Sequence, residues 1–393
     1  MTVLESPERR RHTWLLPLLG SLLAAAPLPA QWPAASPESV GLDSAALGTF
    51  AAEMEAGTFG LVDGFAIVRN GKLVWNAQWR RNYDSVYQAV SPADTVNHAF
   101  NYDHPDWHPW YRRGQAHTLQ SVTKSVTSAL VGIAIARGEI PSLDTPILTW
   151  FDTTTIANLD DRKRRITLRD VLTMSPGIAW NESLPYTDSA NSAIQMEASH
   201  DWVSYVINRP MAYEPGTHWA YSSGASVLMG AILTRATGRP VADYARTVFF
   251  EPLGIEDWYW KTTPTGLYDT EGGLYLRTID LAKIAWLYLE GGEWKGKQVV
   301  PRDWVTLSLS PVAPVAPEAR FRYGLQWWLY ADPVESGRWL PSGSGYGGQF
   351  PMLFPGDSMV VVVNQWNIHG PPTLSPRELA RRVEAARLVP TSP

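Results

Sequence analysis

The chain is 393 residues long, carries a formal net charge of −5 and contains no cysteine. That length supports one large or two medium domains with an ample core. A mildly acidic balance without a basic stripe excludes a nucleic-acid footprint, and the lack of cysteine excludes disulfides, thiolate metal sites and a cysteine nucleophile.

The N-terminus has the three-part form of an export signal over residues 1–30. Arg9-Arg10-Arg11 precedes the apolar run from Trp14 to Ala26, and Pro27-Leu28-Pro29-Ala30 offers a cleavage site. The expected product is periplasmic or secreted. The run is too short for a comfortable span and no later stretch is long enough, so no stable membrane span is expected after signal removal. A proline-rich linker from Trp32 to Pro37 leads into a helical pattern over 43–55.

Two strands joined at Asn70-Gly71 follow, since a two-residue type I′ turn needs positive φ at both central positions. The segment 82–117 reads as an irregular covering loop. Its His98, His104, His108 and His117 fit no single helical face and no H-E-x-x-H occurs, so no metal site is assigned. Asp103 and Asp106 beside them read as solvated loop acids.

Helices are expected over 121–137, 167–174, 199–207, 223–236 and 240–249, punctuated by Pro141, Pro176-Gly177, Pro215-Gly216 and Pro252. Beyond Gly273 come a helix over 278–289, strands over 323–330, 347–354 and 358–364, and a closing helix over 375–388. Strands at both chain ends with helices between them predict an α/β (α+β) fold with one sheet. The expected division is a discontinuous sheet domain, 31–120 with 270–393, and a mainly helical domain, 121–269.

Three short motifs carry chemistry. Ser121-Val122-Thr123-Lys124 opens an apolar helix, and three residues of helical rise place the lysine about one turn above the serine hydroxyl. A neutral Lys124 there could take the proton of Ser121 and activate it. Tyr221-Ser222-Ser223 stands at a loop-to-helix junction, where a phenol can relay a proton. The glycine-rich Gly343-Ser344-Gly345-Tyr346 precedes a strand and allows the close backbone approach that an oxyanion hole requires.

These motifs, in this order, resemble those of the serine β-lactamase and penicillin-binding-protein superfamily. They look most like the branch of class C β-lactamase-like hydrolases that holds family VIII esterases and 6-aminohexanoate-dimer hydrolases. Ser36 to Asp43, Leu172 to Ile178, Tyr213 to Gly216, Glu251 to Ile255 and Gly272-Gly273-Leu274 resemble that family's connecting landmarks. The resemblance implies a β-lactamase-like fold, an antiparallel sheet flanked by helices plus an all-helical domain.

It further implies Ser121 as nucleophile, Lys124 as its base, Tyr221 as proton relay, and the backbone N–H groups of Ser121 and Tyr346 as oxyanion hole. Ser223, Gly343, Ser344, Gly345 and Tyr186 are the implied substrate contacts, with Asp188 near them. The chemistry needs no metal or organic cofactor. Gly343 stands where β-lactamases carry a cation, so the expected substrates are esters or small and linear amides, such as amide oligomers. The alternatives are a β-lactamase or penicillin-binding D-Ala-D-Ala carboxypeptidase, and a non-catalytic peptide- or peptidoglycan-binding module.

Overall fold

The computed structural model describes residues 32–83, 85–86, 108–368 and 373–388. The expected export signal and most of the 82–117 segment, with His98, Asp103, His104 and Asp106, lie outside the described residues. The strands are β1 (Val62–Arg69), β2 (Lys72–Gln78), β3 (His117–Thr118), β4 (Trp258–Trp260), β5 (Leu274–Leu276), β6 (Glu293–Trp294), β7 (Lys297–Gln298), β8 (Phe321–Tyr323), β9 (Trp328–Ala331), β10 (Trp339–Ser342), β11 (Phe350–Phe354) and β12 (Met359–Gln365). The helices that concern the site are α1 (Ser44–Glu55), α2 (Val122–Ala136), α3 (Leu168–Leu172), α4 (Ser192–Ala198), α5 (Trp202–Ile207), α6 (Ser223–Thr237), α7 (Thr278–Leu289), α8 (Arg302–Ser308) and α9 (Pro376–Ala385).

The main sheet is antiparallel with strand order β2-β1-β12-β11-β10-β9-β8, so both ends of the described chain contribute to it. Asn70 and Gly71 take φ of 52° and 69°, the geometry expected of the hairpin turn. β12 is buried along its whole length, which is why Met359 to Val363 reads as an unbroken apolar run and not as an alternation. On one face Phe50 and Met54 of α1 and Leu379 and Val383 of α9 pack with Phe65, Ile67, Val361 and Val363. α7 packs against β1, β11 and β12.

Several elements depart from the sequence pattern, each for a local reason. The strand expected over 323–330 is two strands, because the chain bends at Gln326, whose φ is 64°. That buried glutamine ties three segments together: its carbonyl accepts from Ser125 Oγ, its Oε1 accepts from Ser226 Oγ, and its Nε2 donates to the Leu172 carbonyl. The helix expected from 199 begins at Trp202, since the Asp201 side chain accepts from Ser204 N and caps it. α4, α8 and β10 are short elements without a clear period, and the sequence did not announce them.

α2 is buried on every face from Val122 to Ala134, so it is a core helix and not an amphipathic one. β3, paired with β5, delivers the chain to its N-terminus. Just before Ser121, Gln120 sits at φ 45°, a conformation uncommon outside glycine that turns the strand end sharply into the helix. The nucleophile candidate is thereby fixed between a sheet and a buried helix.

Candidate active site

Ser121 occupies the N-cap of α2, where a serine ordinarily accepts a hydrogen bond from a helix amide. It makes no such cap bond. Its Oγ instead accepts from Lys124 Nζ at 2.9 Å, so the one-turn spacing read from the sequence becomes a direct contact. Lys124 is 1% exposed. Its Nζ also donates to the Glu271 carbonyl at 2.8 Å, to Glu271 Oε2 at 3.1 Å and, at 3.3 Å, to Ser223 Oγ.

Burial alone would lower the basicity of Lys124, but Tyr221, Glu271 and Glu182 together outweigh it and raise it. Lys124 therefore carries its proton in this arrangement, unlike the neutral amine that the sequence motif suggests. Tyr221 lies just ahead of Ser222, which caps α6 by accepting from Ala225 N at 3.1 Å. Its ring centroid is 5.3 Å from Lys124 Nζ and 5.5 Å from the Trp328 ring. Burial pushes the phenol up, while Lys124 and the Ser121 hydroxyl favour its ionised form.

Four acids that the sequence did not single out form one buried cluster, in which Glu271 and Glu182 act on this lysine and Glu197 and Asp269 act on Glu271. Glu182 Oε1 accepts from Ser223 Oγ and from Tyr186 OH, both at 2.7 Å, and its Oε2 accepts from Ser223 N at 2.7 Å and Trp180 Nε1 at 2.8 Å. Burial raises its pKa. Glu197 and Glu271 face each other; burial and Glu271 push Glu197 well up, whereas Lys124 and Glu197 turn the net direction for Glu271 down against its burial. Asp269 Oδ1 accepts from the N–H groups of Glu271 and Gly272, each at 3.0 Å, yet burial and Glu271 push its pKa up to about 7.

A cleft of about 370 Å³ opens onto Ser121, with Tyr186, Tyr221, Trp328, Ser344 and Tyr346 on its walls. No charged side chain lines it among the described residues. Tyr186 and Tyr346 approach with ring centroids 4.8 Å apart, forming one aromatic wall. Trp328 and Tyr221 form the other. Gly345 also lines the cleft, and a Cβ there would come 2.5 Å from the Leu119 carbonyl oxygen, so only glycine allows this approach to the segment preceding Ser121. That approach brings the Gly345-Tyr346 backbone to the same cleft as Ser121.

Two expected substrate contacts, Ser223 and Gly343, are placed elsewhere, and so is Asp188. Ser223 is buried beneath the cleft, its hydroxyl engaged with Glu182 and Lys124. Gly343 is not a cleft residue, and a Cβ there would meet Val122 at 3.0 Å and Pro351 at 3.2 Å. Asp188 Oδ1 accepts from Ala190 N and shapes a turn without lining the cleft. His117 is buried with Nε2 3.1 Å from Asp63 Oδ2, and His108 Nδ1 accepts from Trp110 N, so both imidazoles are engaged within the fold. No group of three metal-ligating side chains occurs among the described residues. No described helix is long and apolar enough to cross a membrane.

The beta-lactamase family profile matches residues 48–386. The chain belongs to the beta-lactamase family. Its relatives include hydrolases, an esterase among them, and methylbutanoyltransferases. Over 283 residues the chain is 27% identical to the 6-aminohexanoate-dimer hydrolase of Paenarthrobacter ureafaciens, covering 65% of this chain and 69% of that enzyme. It is 28% identical over 150 residues to esterase EstB of Burkholderia gladioli, covering 35% of this chain and only 37% of the esterase. The crystal structure of a family VIII carboxylesterase superposes with a TM-score of 0.62 at 16% identity, covering 87% of this chain and 95% of that one, a likeness that shows the fold.

Proposed function

We propose that this protein is a serine hydrolase that cleaves uncharged carboxylic esters or small and linear amides through an acyl-enzyme. The observation that carries the reading is Lys124 Nζ 2.9 Å from Ser121 Oγ at the floor of an aromatic cleft without charged walls. Ser121 Oγ forms a bond to the substrate carbonyl carbon as its proton passes into the Lys124/Tyr221 pair. Backbone N–H groups of Ser121 and Tyr346 would stabilise the oxyanion, and the leaving alcohol or amine departs with a proton from Tyr221. Water then attacks the acyl-enzyme and releases the acid. The scheme uses only side chains, backbone and water.

The uncharged cleft supports esters and linear amides over penicillins. A penicillin carboxylate placed there loses water without gaining a cation, and a charge-assisted hydrogen bond contributes about 1.5–3 kcal/mol, or one to two decades of affinity. Turnover of p-nitrophenyl butyrate should therefore exceed that of nitrocefin. Labelling by a fluorophosphonate should be lost in Ser121→Ala and kept in Ser125→Ala, whose hydroxyl donates to the Gln326 carbonyl at 2.7 Å. A higher kcat/KM for nitrocefin than for short esters and linear amides, or a label on another serine, would overturn the reading. A protein that takes no label at all would stand as a binding module. The Arg9 to Ala30 pattern supports placing this activity in the periplasm or medium.

A further inference from the structure

An ammonium has three N–H donors, and Lys124 has three short acceptors: Ser121 Oγ and two oxygens of Glu271. Two of the three thus belong to one residue, which grips the lysine through its carbonyl and its carboxylate together. Glu271 is 7% exposed, and the loop from β4 into β5 that holds it is fixed by Asp269, whose Oδ1 accepts from the Glu271 and Gly272 amides. We propose that Glu271 is a positioning residue of the hydrolytic reaction, gripping the Lys124 ammonium through two oxygens and keeping it aimed at Ser121 Oγ. This inference rests on the serine hydrolase reading above.

Proton and bond changes balance in this scheme. Burial favours the neutral phenol and the Lys124 ammonium opposes it, so the step runs through the fraction of Tyr221 whose proton has passed to water; that phenolate takes the Ser121 proton as the Ser121 oxygen bonds to the acyl carbon. The bond to the leaving oxygen or nitrogen then breaks as that atom takes the proton from Tyr221. Lys124 begins and ends as an ammonium. Glu197, on α4, completes the arrangement: its Oε2 is buried and meets no donor among the described residues, while its carboxyl faces Glu271. Two buried carboxyls in contact share one proton. Held on Glu197, that proton leaves the single negative charge on Glu271, beside the lysine.

The groups that set this balance come from each surrounding element: Lys124 on α2, Glu182 ahead of α4, Glu197 on α4, Tyr221 ahead of α6, and Asp269 with its neighbour Lys261. Removing the Glu271 charge must then make Lys124 easier to deprotonate. In Glu271→Gln we expect kcat for p-nitrophenyl butyrate to fall roughly tenfold with little change in KM, the pattern of a lost transition-state contribution. A descending alkaline limb should enter the accessible pH range as the ammonium titrates. Glu271→Asp, which restores the charge, should move that limb back toward the wild-type position.

A Glu271→Gln enzyme that is more active at neutral pH and shows no descending limb would make Lys124 a neutral base that Glu271 restrains, and would overturn the proposal. So would a profile identical to wild type. Infrared difference spectra between wild type and Glu197→Gln give a readout independent of turnover. A protonated-carboxyl C=O band lost in the variant supports the shared proton, and its absence from the wild type refutes it. Wild-type protein that neither turns over esters nor takes a fluorophosphonate label fails the hydrolase reading itself. Labelled, active protein with an unmoved profile fails only the role of Glu271.

Discussion

Glu182 joins the tyrosine motif to the aromatic wall, and replacing it separates two kinds of cost. Its carboxylate accepts four hydrogen bonds, two on each oxygen, from Ser223 N and Trp180 Nε1 and from Ser223 Oγ and Tyr186 OH. In Glu182→Gln the amide oxygen can still accept from the two N–H groups while the new NH₂ donates to the two hydroxyls, which rotate to accept. Only the charge assistance goes, a loss of about 1–2 kcal/mol. Glu182→Ala leaves Ser223 N–H and Trp180 Nε1–H without acceptors, at about 1–3 kcal/mol each, and frees the Tyr186 ring from its anchor. Partial exposure of the loop lets water relieve some of this, so the expected loss for alanine is about 2–4 kcal/mol. Urea denaturation followed by tryptophan fluorescence measures both, and ester kinetics should show a raised KM for alanine beyond that for glutamine. Equal destabilisation by the two substitutions, or a larger loss for glutamine, would refute this account.

Gly345→Ala should cost about 1–3 kcal/mol of overpacking and displace Tyr346, because the new Cβ would press on the Leu119 carbonyl; thermal unfolding and kcat together check this. Stability should fall as pH rises from about 5 to 7.5. Asp269 is ionised near its ordinary 3.8 when unfolded but holds its proton to about 7 when folded, so the native state binds more protons in that window, and Glu182 and Glu197 act in the same direction. A melting temperature that climbs across that range would contradict the assignment, and Asp269→Asn should flatten the slope. Natively expressed protein should begin near Gln31 by intact mass and lie in the cell envelope or medium; a product retaining Met1 or Thr2 in the cytoplasm would refute export.

The hairpin at Asn70-Gly71, the buried strand around Val361 and the helix behind Ser121 were legible in the sequence, because each rests on turn chemistry or apolar patterning over a few consecutive residues. The Ser121 to Lys124 contact was legible for the same reason, being one turn of one helix. The order of the three motifs further pointed to the family that the profile match establishes. Tertiary structure alone decided the rest. It buried Ser223 under the cleft, kept Gly343 out of it, and brought Glu182 and Glu271 to Lys124, with Glu197 and Asp269 beside Glu271, from distant segments. Sequence periodicity reports which residues share a face of one element. The charge on Lys124 depends on acids brought to it across the fold, through burial and distances that no local pattern encodes.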